Sequence, residues 1–414
     1  MSKKIHTIQS SDKNEFDKEV NYFLELGGEL MDGGYEVINN DDGVVYSQVI
    51  VFNKNCEVEF YDNGQLRFVD NKNEDGKRDG LFTTWYENGQ KEEEGTYKGG
   101  KEDGLWTWWN ESGHTSEERT YKNGKKDGLW IYWYENGQIK SKGFYKDEMK
   151  EGVFTKWYKN GDLKEEGEYE NGIKVGGWMS WYKNDRLEWD SFYRNGNLHQ
   201  ESISYHKNRR MRSKQTYKNG KENGFYTHWD ELGDKIHEGN YKYGEKHGKW
   251  TEWYNNEHKR LEQTYKNGKE NGLYTRWYEN GRKEKEGTHC DLGIFGYVIQ
   301  NDKWTEWYEN GQKKSEGTYC VVDKESLKDG KWTKWFENGQ KMSERTYKNG
   351  IPVGLENDWN ENGQKKEERN YKDGEKDGLH TEWYDNGQKK SEEIFKDGKL
   401  ISKKEWNEDG SVKE

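Results

Sequence analysis

The sequence predicts a mainly β protein, an elongated single-layer antiparallel meander of about 15 tandem 24-residue β-hairpins with a small α+β unit at the N-terminus. Three observations predict this fold class. Aromatic residues return at a fixed interval, turn residues divide each interval into two strand-length runs, and the composition favours strands. The expected organisation is an N-terminal unit over residues 1–59 and a repeat array over residues 60–414.

The composition indicates a folded chain with a thin aromatic core. Apolar residues make up 29% of the 414 residues and charged residues 36%, a balance that is typical of disordered proteins. However, the 21 tryptophans and 29 tyrosines supply the apolar surface that disordered chains lack. The chain has one proline and no alanine, the best helix former, so long helices are not expected.

The charge and the N-terminus exclude several function classes. A net charge of −12 argues against non-specific nucleic-acid binding and against docking on anionic lipid. The first residues lack the apolar segment of a secretory signal, and no apolar run is long enough to span a membrane. Three sparse cysteines suit a reducing compartment. We therefore expect a cytoplasmic protein without a transmembrane segment.

The first 59 residues do not carry the repeat. "KIHTIQS" is predicted to form a strand, and the spacing of Phe16, Val20, Phe23 and Leu24 predicts an amphipathic helix. Ser11 or Asp12 can cap this helix, and Gly27-Gly28 ends it. "YEVI" and "VVYSQVIVF" are predicted strands joined by the turn "NNDDG". This β-α-β-β unit is interpreted as a cap for the sheet edge or as an independent interaction module.

The repeat is set by an aromatic residue in front of each turn. Its positions step by 24 from Trp85 to Trp277, and longer intervals then precede Trp307 and Trp335. Phe60 is an earlier copy, and the last is Trp406. A second aromatic series confirms the phase, at Tyr97, Tyr121, Tyr145, Tyr169, Tyr193, Tyr217, Tyr241 and Tyr265. Self-similarity of this kind indicates a repeat architecture, in which each repeat contacts mainly its neighbours.

Each repeat contains two Asn-Gly clusters. We expect the first, Asn136-Gly137 in "LWIYWYENGQIKSKGFY", to form a two-residue type I′ hairpin turn, because this turn needs positive φ at both positions. We expect the second, in "KNGKKDG", to be a longer connection to the next hairpin. Pairing outward from the first turn gives three predicted pairs, namely Tyr134 with Ile139, Trp133 with Lys140, and Trp130 with Gly143.

A glycine recurs opposite the first aromatic residue of the hairpin, as Gly143 lies opposite Trp130. Without a side chain, the glycine leaves room for a ring to lie across the backbone. Long side chains replace it in other repeats and are expected to cover the ring while their polar ends stay in water. These side chains are Arg119, Gln215, Gln263, Arg345 and Arg369. At about 4.8 Å per strand, 15 hairpins would extend on the order of 140 Å before twist shortens them.

The repeat resembles a known family. "YxNGxxxGxWxxWYxNGQ" is similar to the MORN repeat, specifically its bacterial variant form, over about Phe60 to Asn407. Proteins with this spelling are commonly labelled antitoxin components of the YwqK type. The resemblance implies a hairpin scaffold, and the label implies a toxin as partner. MORN proteins serve in general as scaffolds, membrane-associated modules or partner-binding platforms, and the enzymes among their relatives carry a separate catalytic domain.

The aromatic stripe is the first candidate site. Trp130, Tyr132 and Tyr134 are expected on one face of the hairpin, where the simplest interpretation is that they form the core. One face of a single-layer sheet must nevertheless stay partly open. An aromatic groove along the sheet would suit a protein or peptide partner. Tandem aromatic hairpins also bind sugars or quaternary ammonium groups, so a carbohydrate- or lipid-headgroup binder is the alternative hypothesis.

Two insertions interrupt the period, at residues 290–302 and 320–331. Ile294, Phe295 and Tyr297 make the first apolar enough for a partner contact. Cys290 and Cys320 begin the two insertions, and equivalent positions in successive hairpins lie about 9.6 Å apart, beyond disulfide reach. With His289 they could ligate a metal, but no fourth ligand is evident. We therefore expect no metal and no cofactor.

A basic patch forms the third candidate site. In "SYHKNRRMRSKQ" the Asn-Gly pair is absent, and Arg209, Arg210 and Arg212 gather on an acidic chain. Degeneration of the repeat and recognition of an acidic partner both remain open. The patch is too short and isolated to indicate nucleic acid.

No catalytic arrangement is apparent in the sequence. Paired carboxylates such as Glu165-Glu166 recur at one repeat position, which favours a solvated face over a catalytic pair. No Ser/His/Asp, zinc or phosphate-loop pattern is distinct from the repeat background. The sequence therefore predicts a non-enzymatic repeat scaffold that binds a protein partner along its aromatic face, with an antitoxin-like role as the specific form of this hypothesis.

Overall fold

The computed structural model describes the backbone of residues 5–10, 28–30, 36–40, 43–52, 55–291 and 298–413. Every regular element among these residues is a β-strand, which confirms the predicted fold class. The chain divides into two compact units, Met1–Asn197 and Leu198–Glu414, called the first and second units. No helix in the described part has the length and apolarity needed to cross a bilayer.

A separate small sheet precedes the hairpins in the first unit. It consists of β1 (Ile5–Ser10), β2 (Gly28–Leu30), β3 (Glu36–Asn40) and β4 (Gly43–Phe52), and the other three strands all pair antiparallel with β4. The three predicted strands of the N-terminus are therefore present, and Gly28 begins a further one. The predicted amphipathic helix falls on residues outside the described part.

The hairpins of the first unit begin at Cys56, four residues before the expected position 60. Consecutive strands pair antiparallel along the chain, except that the short strands Lys101–Glu102 and Gly104–Trp109 both pair with Lys91–Lys98. Their bounds are β5 (Cys56–Phe60), β6 (Leu66–Lys72), β7 (Arg78–Trp85), β8 (Lys91–Lys98), β9 (Lys101–Glu102), β10 (Gly104–Trp109), β11 (Thr115–Lys122), β12 (Lys125–Trp133), β13 (Ile139–Lys146), β14 (Met149–Trp157), β15 (Leu163–Glu170), β16 (Ile173–Trp181) and β17 (Leu187–Arg194).

The second unit continues the same pattern of antiparallel neighbours. Its strands are β18 (Asn197–Tyr205), β19 (Met211–Lys218), β20 (Lys221–Trp229), β21 (Lys235–Lys242), β22 (Glu245–Trp253), β23 (Lys259–Lys266), β24 (Lys269–Trp277), β25 (Lys283–Asp291), β26 (Val298–Trp307), β27 (Lys313–Val322), β28 (Glu325–Trp335), β29 (Lys341–Lys348), β30 (Ile351–Pro352), β31 (Gly354–Trp359), β32 (Lys365–Lys372), β33 (Glu375–Lys376), β34 (Gly378–Trp383), β35 (Lys389–Lys396) and β36 (Lys399–Glu405).

The first Asn-Gly pair forms a three-residue loop, so the predicted type I′ turn at Asn136-Gly137 is wrong. The Tyr134 amide donates to the Gln138 carbonyl at 2.8 Å, and the Gly137 amide donates to the Tyr134 carbonyl at 2.9 Å. Gly137 has a φ of 80°, but Asn136 is not among the residues with positive φ. This combination is a type I turn followed by a glycine in the left-handed region.

The longer loop moves the register by one residue near the turn. Trp130 lies opposite Gly143, as predicted. The register shifts between Tyr132 and Trp133, because the loop contains one residue more than the predicted turn. Trp133 therefore pairs with Ile139, and two predicted pairs are wrong, namely Tyr134 with Ile139 and Trp133 with Lys140.

The second Asn-Gly pair forms the two-residue turn that was expected of the first. Lys122 pairs with Lys125, and the φ angles of Asn123 and Gly124 are 52° and 80°. These positive values at both central positions define a type I′ turn. The prediction of a longer connection in "KNGKKDG" is therefore wrong. The Gly124 amide also donates to the Glu102 carbonyl of the preceding repeat at 2.8 Å.

The recurring glycine does leave room for a ring, but the ring comes from the following repeat. A Cβ atom added at Gly143 would lie 2.3 Å from Cδ1 of Phe154 in β14. Gly143 has no Cα partner in β14, because the register shifts at this point, and the ring of Phe154 fills the space. Five further pairs show the same relation, namely Gly95 with Trp106, Gly167 with Trp178, Gly239 with Trp250, Gly287 with Trp304, and Gly317 with Trp332.

The long side chains that replace this glycine cover rings as expected, but the two glutamines are buried. The Arg119 guanidinium lies 5.0 Å from the ring centre of Trp130. Gln263 is 2% exposed, and its side-chain amide donates to the Thr264 carbonyl at 2.9 Å. Gln215 is buried in the same way. For these glutamines, the expectation that the polar end stays in water is wrong, because the backbone supplies the hydrogen bond instead.

Two series of side-chain hydrogen bonds tie successive repeats together. The Tyr134 hydroxyl donates to the Trp157 carbonyl at 2.9 Å, and the Asn136 side-chain amide donates to the Lys159 carbonyl at 2.7 Å. Equivalent tyrosine hydroxyls donate to the next repeat at Tyr61, Tyr86, Tyr158, Tyr254, Tyr278, Tyr308 and Tyr384. Each turn is therefore held at a fixed distance from its neighbour.

Candidate functional site

The tryptophan face is the side of each sheet that carries the first aromatic of the repeat, as at Trp130. The Trp130 ring is 4% exposed, and its centre lies 5.0 Å from that of Tyr145 and 5.5 Å from that of Tyr121. The Lys126 ammonium stacks on the same ring at 4.7 Å. Aromatic neighbours and a lysine therefore enclose Trp130, which is a core residue in this structure.

Tyr132 and Tyr134 lie beside Trp130 at the turn end of the hairpin and are half-buried. Burial raises the pKa of Tyr132, and the nearby Arg119 guanidinium partly opposes this effect. The Tyr134 hydroxyl is already bonded to the next repeat. Of the predicted aromatic contact residues, these two retain partial exposure, but the polar end of Tyr134 is not free for a partner.

The basic patch lies on a turn of ordinary shape. The Arg209 amide donates to the His206 carbonyl at 2.9 Å, and the His206 amide donates to the Arg210 carbonyl at 2.8 Å. Arg209 takes the place of the usual glycine with a φ of 73°, so the turn survives without its Asn-Gly pair. Arg209, Arg210 and Arg212 are all exposed, and within the described residues none has an acidic partner within 4 Å. The structure therefore brings the three predicted guanidinium groups to one exposed end of the hairpin.

The predicted apolar contact residues Ile294, Phe295 and Tyr297 lie outside the described residues. His289 lies in front of this insertion. Its Nδ1 atom is 3.1 Å from Gln263 Oε1, which can only accept a hydrogen bond, and 3.1 Å from Glu270. Burial lowers the pKa of His289, and Glu270 opposes this shift. Within the described residues, Cys56, Cys290 and Cys320 form no disulfide. Nothing in the described residues groups these thiols with His289 as metal ligands.

The leucine face, opposite the tryptophan face, carries exposed apolar side chains that the sequence analysis did not single out. Leu105, Leu129, Phe144 and Val153 are 54%, 38%, 43% and 58% exposed in the first unit. Leu129 and Phe144 are Cα partners on neighbouring strands. In the second unit the exposed residues of this face are Phe225, Leu273, Leu355, Leu379 and Ile394. Most of them stand directly before the position of the first aromatic of the repeat, whereas Phe144 and Ile394 stand directly before Tyr145 and Phe395.

A second feature missed from the sequence is a charged break in the tryptophan row of the second unit. Glu356 and His380 occupy the position of the first aromatic and are only 3% and 5% exposed. Burial raises the pKa of Glu356, and Arg345 and Arg369 oppose this shift. The signal was present in "GLENDW" and "GLHTEW", where glutamate and histidine replace the ring.

His380 lies among carboxylates that already have cationic partners. Its Nε2 atom lies 2.8 Å from Glu367, and the possible ligand atoms of Glu367, His380 and Glu382 lie within 4.8 Å of one another. Arg369 contacts Glu367 at 3.2 Å, and Lys390 contacts Glu382 at 3.0 Å. Because these charges are compensated, the cluster is explained as a network of ion pairs, and we assign no metal to it.

Comparisons with solved structures give only remote likenesses. The Photorhabdus luminescens Tc holotoxin pore with mutation TccC3-D651A is 10% identical, with a TM-score of 0.17 over 86% of this chain and 22% of that chain. TcdB2-TccC3 without its hypervariable C-terminal region is also 10% identical, with a TM-score of 0.17 over 98% of this chain and 29% of that chain. This chain thus spans less than a third of the length of either one. Scores this low carry no conclusion, and no curated protein matches the chain.

The family comparison is informative. A family model described as MORN repeat variant matches nine segments, each of which covers most of one hairpin repeat. The matched residues are 78–98, 102–123, 126–147, 150–171, 246–267, 303–320, 328–349, 352–373 and 376–397. The segments follow the same period as the strands and turns described above. The nine matched hairpins are therefore MORN repeats of the variant type.

Proposed function

We propose that this chain is a non-catalytic repeat scaffold that binds a protein partner on its leucine face. The observation that supports this proposal is the exposed apolar row of Leu105, Leu129, Phe144 and Val153 in the first unit. Contiguous exposed apolar surface bordered by polar residues is typical of protein-binding sites. The tryptophan face offers less, because lysines and tyrosines already cover its rings.

The basic patch gives this scaffold a second contact. Arg209, Arg210 and Arg212 are exposed cations on an acidic chain, and they suit acidic groups of a protein partner. A toxin is the partner class that the antitoxin label of similar proteins suggests. Under this proposal, the scaffold would inhibit such a toxin by covering its functional surface.

We propose no catalytic step for this chain. The groups with shifted pKa values include Tyr145, Tyr169, Tyr193 and Tyr241, whose pKa burial raises at the same position of successive repeats. A catalytic group is instead expected to be singular and to lie in a pocket. The recurrence therefore favours a structural origin of these shifts.

The test removes apolar character from the leucine face without removing the fold. Leu129→Lys and Val153→Lys place lysine at a position that Lys249, Lys303 and Lys331 occupy in other repeats, so the hairpins should tolerate the change. Wild-type protein would be cross-linked in a lysate of the source organism, and captured proteins would be quantified by mass spectrometry. A specific partner should fall by about tenfold or more with the double variant.

Leu232→Lys is the matched control, because Leu232 is 70% exposed but lies on a turn. It should leave capture unchanged. Equal recovery of every protein by the wild type and the Leu129→Lys, Val153→Lys variant would contradict the proposal. The alternative, a carbohydrate- or lipid-headgroup binder, uses the tryptophan face. Glycan-array or liposome binding that survives the double variant would favour it.

A further inference from the structure

A cavity of about 650 Å³ opens beside three consecutive two-residue turns of the first unit. Two aspartates, Asp127 and Asp147, and the ring of Phe144 form part of its wall. The remaining wall is mainly basic. We call this cavity the lysine pocket, after its four lysines, Lys101, Lys122, Lys125 and Lys146.

The backbone fixes the spacing of these lysines. The three turns centre on Gly99-Gly100, Asn123-Gly124 and Asp147-Glu148, all with positive φ. Each turn donates one amide hydrogen bond to the preceding repeat: Gly100 to Arg78 at 2.7 Å, Gly124 to Glu102 at 2.8 Å, and Glu148 to Lys126 at 2.9 Å. Since the lysines flank anchored turns, the pocket is a preformed feature of the hairpin edge.

The pocket carries more positive charge than its own acids balance. Across the described residues, Lys101, Lys122 and Lys146 have no acidic group within 4 Å, and Lys125 approaches Asp147 only at 4.0 Å. Two lysines nearby are engaged instead: Lys126 lies over the Trp130 ring, and Lys156 contacts Glu165 at 2.7 Å. Unpaired like charges in one cavity of a protein with a net charge of −12 favour an anionic ligand.

Phe144 connects the lysine pocket to the leucine face. Its ring is part of the pocket wall and is 43% exposed, and its Cα partner is Leu129. A ligand that satisfies both surfaces has anionic groups next to an apolar group. Side-chain carboxylates beside a leucine or phenylalanine provide this combination in a protein segment.

We propose that the lysine pocket receives the carboxylates of an acidic segment of the protein partner, whose adjacent apolar side chain packs on Phe144 and Leu129. This inference rests on the proposed function, since it names the chemistry of the partner that the leucine face binds. Lys101, Lys122 and Lys146 select the charge of the segment, and Phe144 selects its apolar residue.

The second unit contains a matched control for this pocket. The positions 120 residues further on are Lys221, Lys242 and Lys266, which are exposed like their counterparts. Five of the eight lining positions differ between the sites. Glu245 replaces Lys125, Thr264 replaces Phe144, Tyr243 replaces Asn123, His247 replaces Asp127, and Asn267 replaces Asp147. Three lysines at the same turn positions are therefore available without the fourth lysine and without the ring.

The test uses the full chain and a fluorescein-labelled peptide, Glu-Leu-Glu-Phe-Glu-Leu-Glu, measured by fluorescence anisotropy. Lys101→Glu, Lys122→Glu and Lys146→Glu together should weaken binding by about tenfold or more. Lys221→Glu, Lys242→Glu and Lys266→Glu change the net charge equally and should leave binding unchanged. Affinity should fall as salt rises, and a peptide with glutamine in place of glutamate should not bind. Tryptophan fluorescence spectra would confirm that both triple variants keep the wild-type fold.

The other outcomes distinguish failure of the lysine-pocket inference from failure of the scaffold proposal. Equal affinity of the two triple variants would overturn the inference, as would the absence of peptide binding. If only Leu129→Lys with Val153→Lys reduces binding, the scaffold proposal stands and the role of the lysines is wrong. Saturable binding of pyrophosphate at the lysine pocket without peptide binding would assign the pocket to a phosphate ligand and overturn the acidic segment.

Discussion

Substitution of Gly167 by alanine should disrupt the packing between two successive repeats of the first unit. The added Cβ would lie 2.1 Å from Cδ2 of Trp178, far inside any allowed contact. The Trp178 ring is 2% exposed and cannot simply turn into solvent. The Lys174 ammonium lies 3.6 Å from the ring centre, and the indole N–H donates to the Glu168 carbonyl at 3.2 Å.

The expected cost follows from how far the ring must move. An ordinary contact of about 3.4 Å would need a displacement of roughly 1.3 Å, which strains the indole hydrogen bond and the stacked lysine. Overpacking of this kind costs about 1–3 kcal/mol, and loss of the cation–π contact adds about 0.5–1 kcal/mol. Alanine restricts the unfolded chain and returns about 0.4–1 kcal/mol. We expect a net destabilisation of about 2 kcal/mol.

Gly177→Ala is the matched control, because an added Cβ there meets nothing within 4 Å and its φ is not positive. Repeat arrays unfold locally, so hydrogen exchange of β15 and β16 is a better assay than one melting temperature. Gly167→Ala should speed their exchange by about 30-fold, whereas Gly177→Ala should slow it slightly. Equal exchange in the two variants would refute the idea that glycine is needed to seat the ring of the next repeat.

Three further predictions concern the links between repeats, the basic turn and alkaline pH. Tyr134→Phe removes the hydroxyl that donates to the Trp157 carbonyl, and it should lower the local unfolding free energy, measured by hydrogen exchange, by about 1 kcal/mol. Tyr243→Phe is the control, because the Tyr243 ring is exposed on a turn, and it should not change the exchange. Arg209→Gly removes a side chain from a residue with a φ of 73°, so it should stabilise the turn by about 1 kcal/mol. The same substitution should weaken partner capture, because it removes a cation of the basic patch. A less stable turn would contradict the idea that the positive φ of Arg209 strains the backbone. Burial raises the pKa of Tyr265 to about 12, so its contribution to stability is present below pH 10 and is lost between about pH 10 and 12. Tyr265→Phe should reduce the loss of unfolding free energy between about pH 10 and 12 and leave the unfolding free energy at lower pH unchanged in its pH dependence. Denaturant titration measures the free energy, and tyrosinate absorbance follows the ionisation.

The period predicted the strands correctly, but it did not separate the two turns. Both are spelled Asn-Gly, and the sequence preference for type I′ is the same for each. The two turns differ in the asparagine side chain. The Asn136 side-chain amide donates to the Lys159 carbonyl of the next repeat, and Asn123 makes no such bond. A hydrogen bond between repeats is invisible to reasoning from one hairpin, so the register near Trp133 was predicted one residue out of place.

The same limit applies to the candidate site. Alternation along the strand correctly placed Trp130 and Tyr132 on one face, but both faces are apolar in the sequence. The lysine that closes the tryptophan face, Lys126, stands four residues before the ring and crosses a register shift to reach it. Pairs of residues on neighbouring strands did not predict that Lys126 covers the Trp130 ring. The aromatic face was therefore expected to be the open one. The basic residues 209, 210 and 212 needed no packing argument, and their exposure agrees with their charge.

The variation among repeats gives a further reason to assign recognition to the leucine face. The position of Trp130 holds a large ring in most repeats, because each ring must fill the space above a glycine or beneath a long side chain. The position of Leu129 carries leucine, valine, phenylalanine, glycine, glutamate or lysine in different repeats, since it faces solvent and packs on little. A partner can therefore distinguish one repeat from another mainly on the leucine face. The apolar stretch from Leu105 to Val153, next to the lysine pocket, is the part of the first unit where that surface is most distinctive.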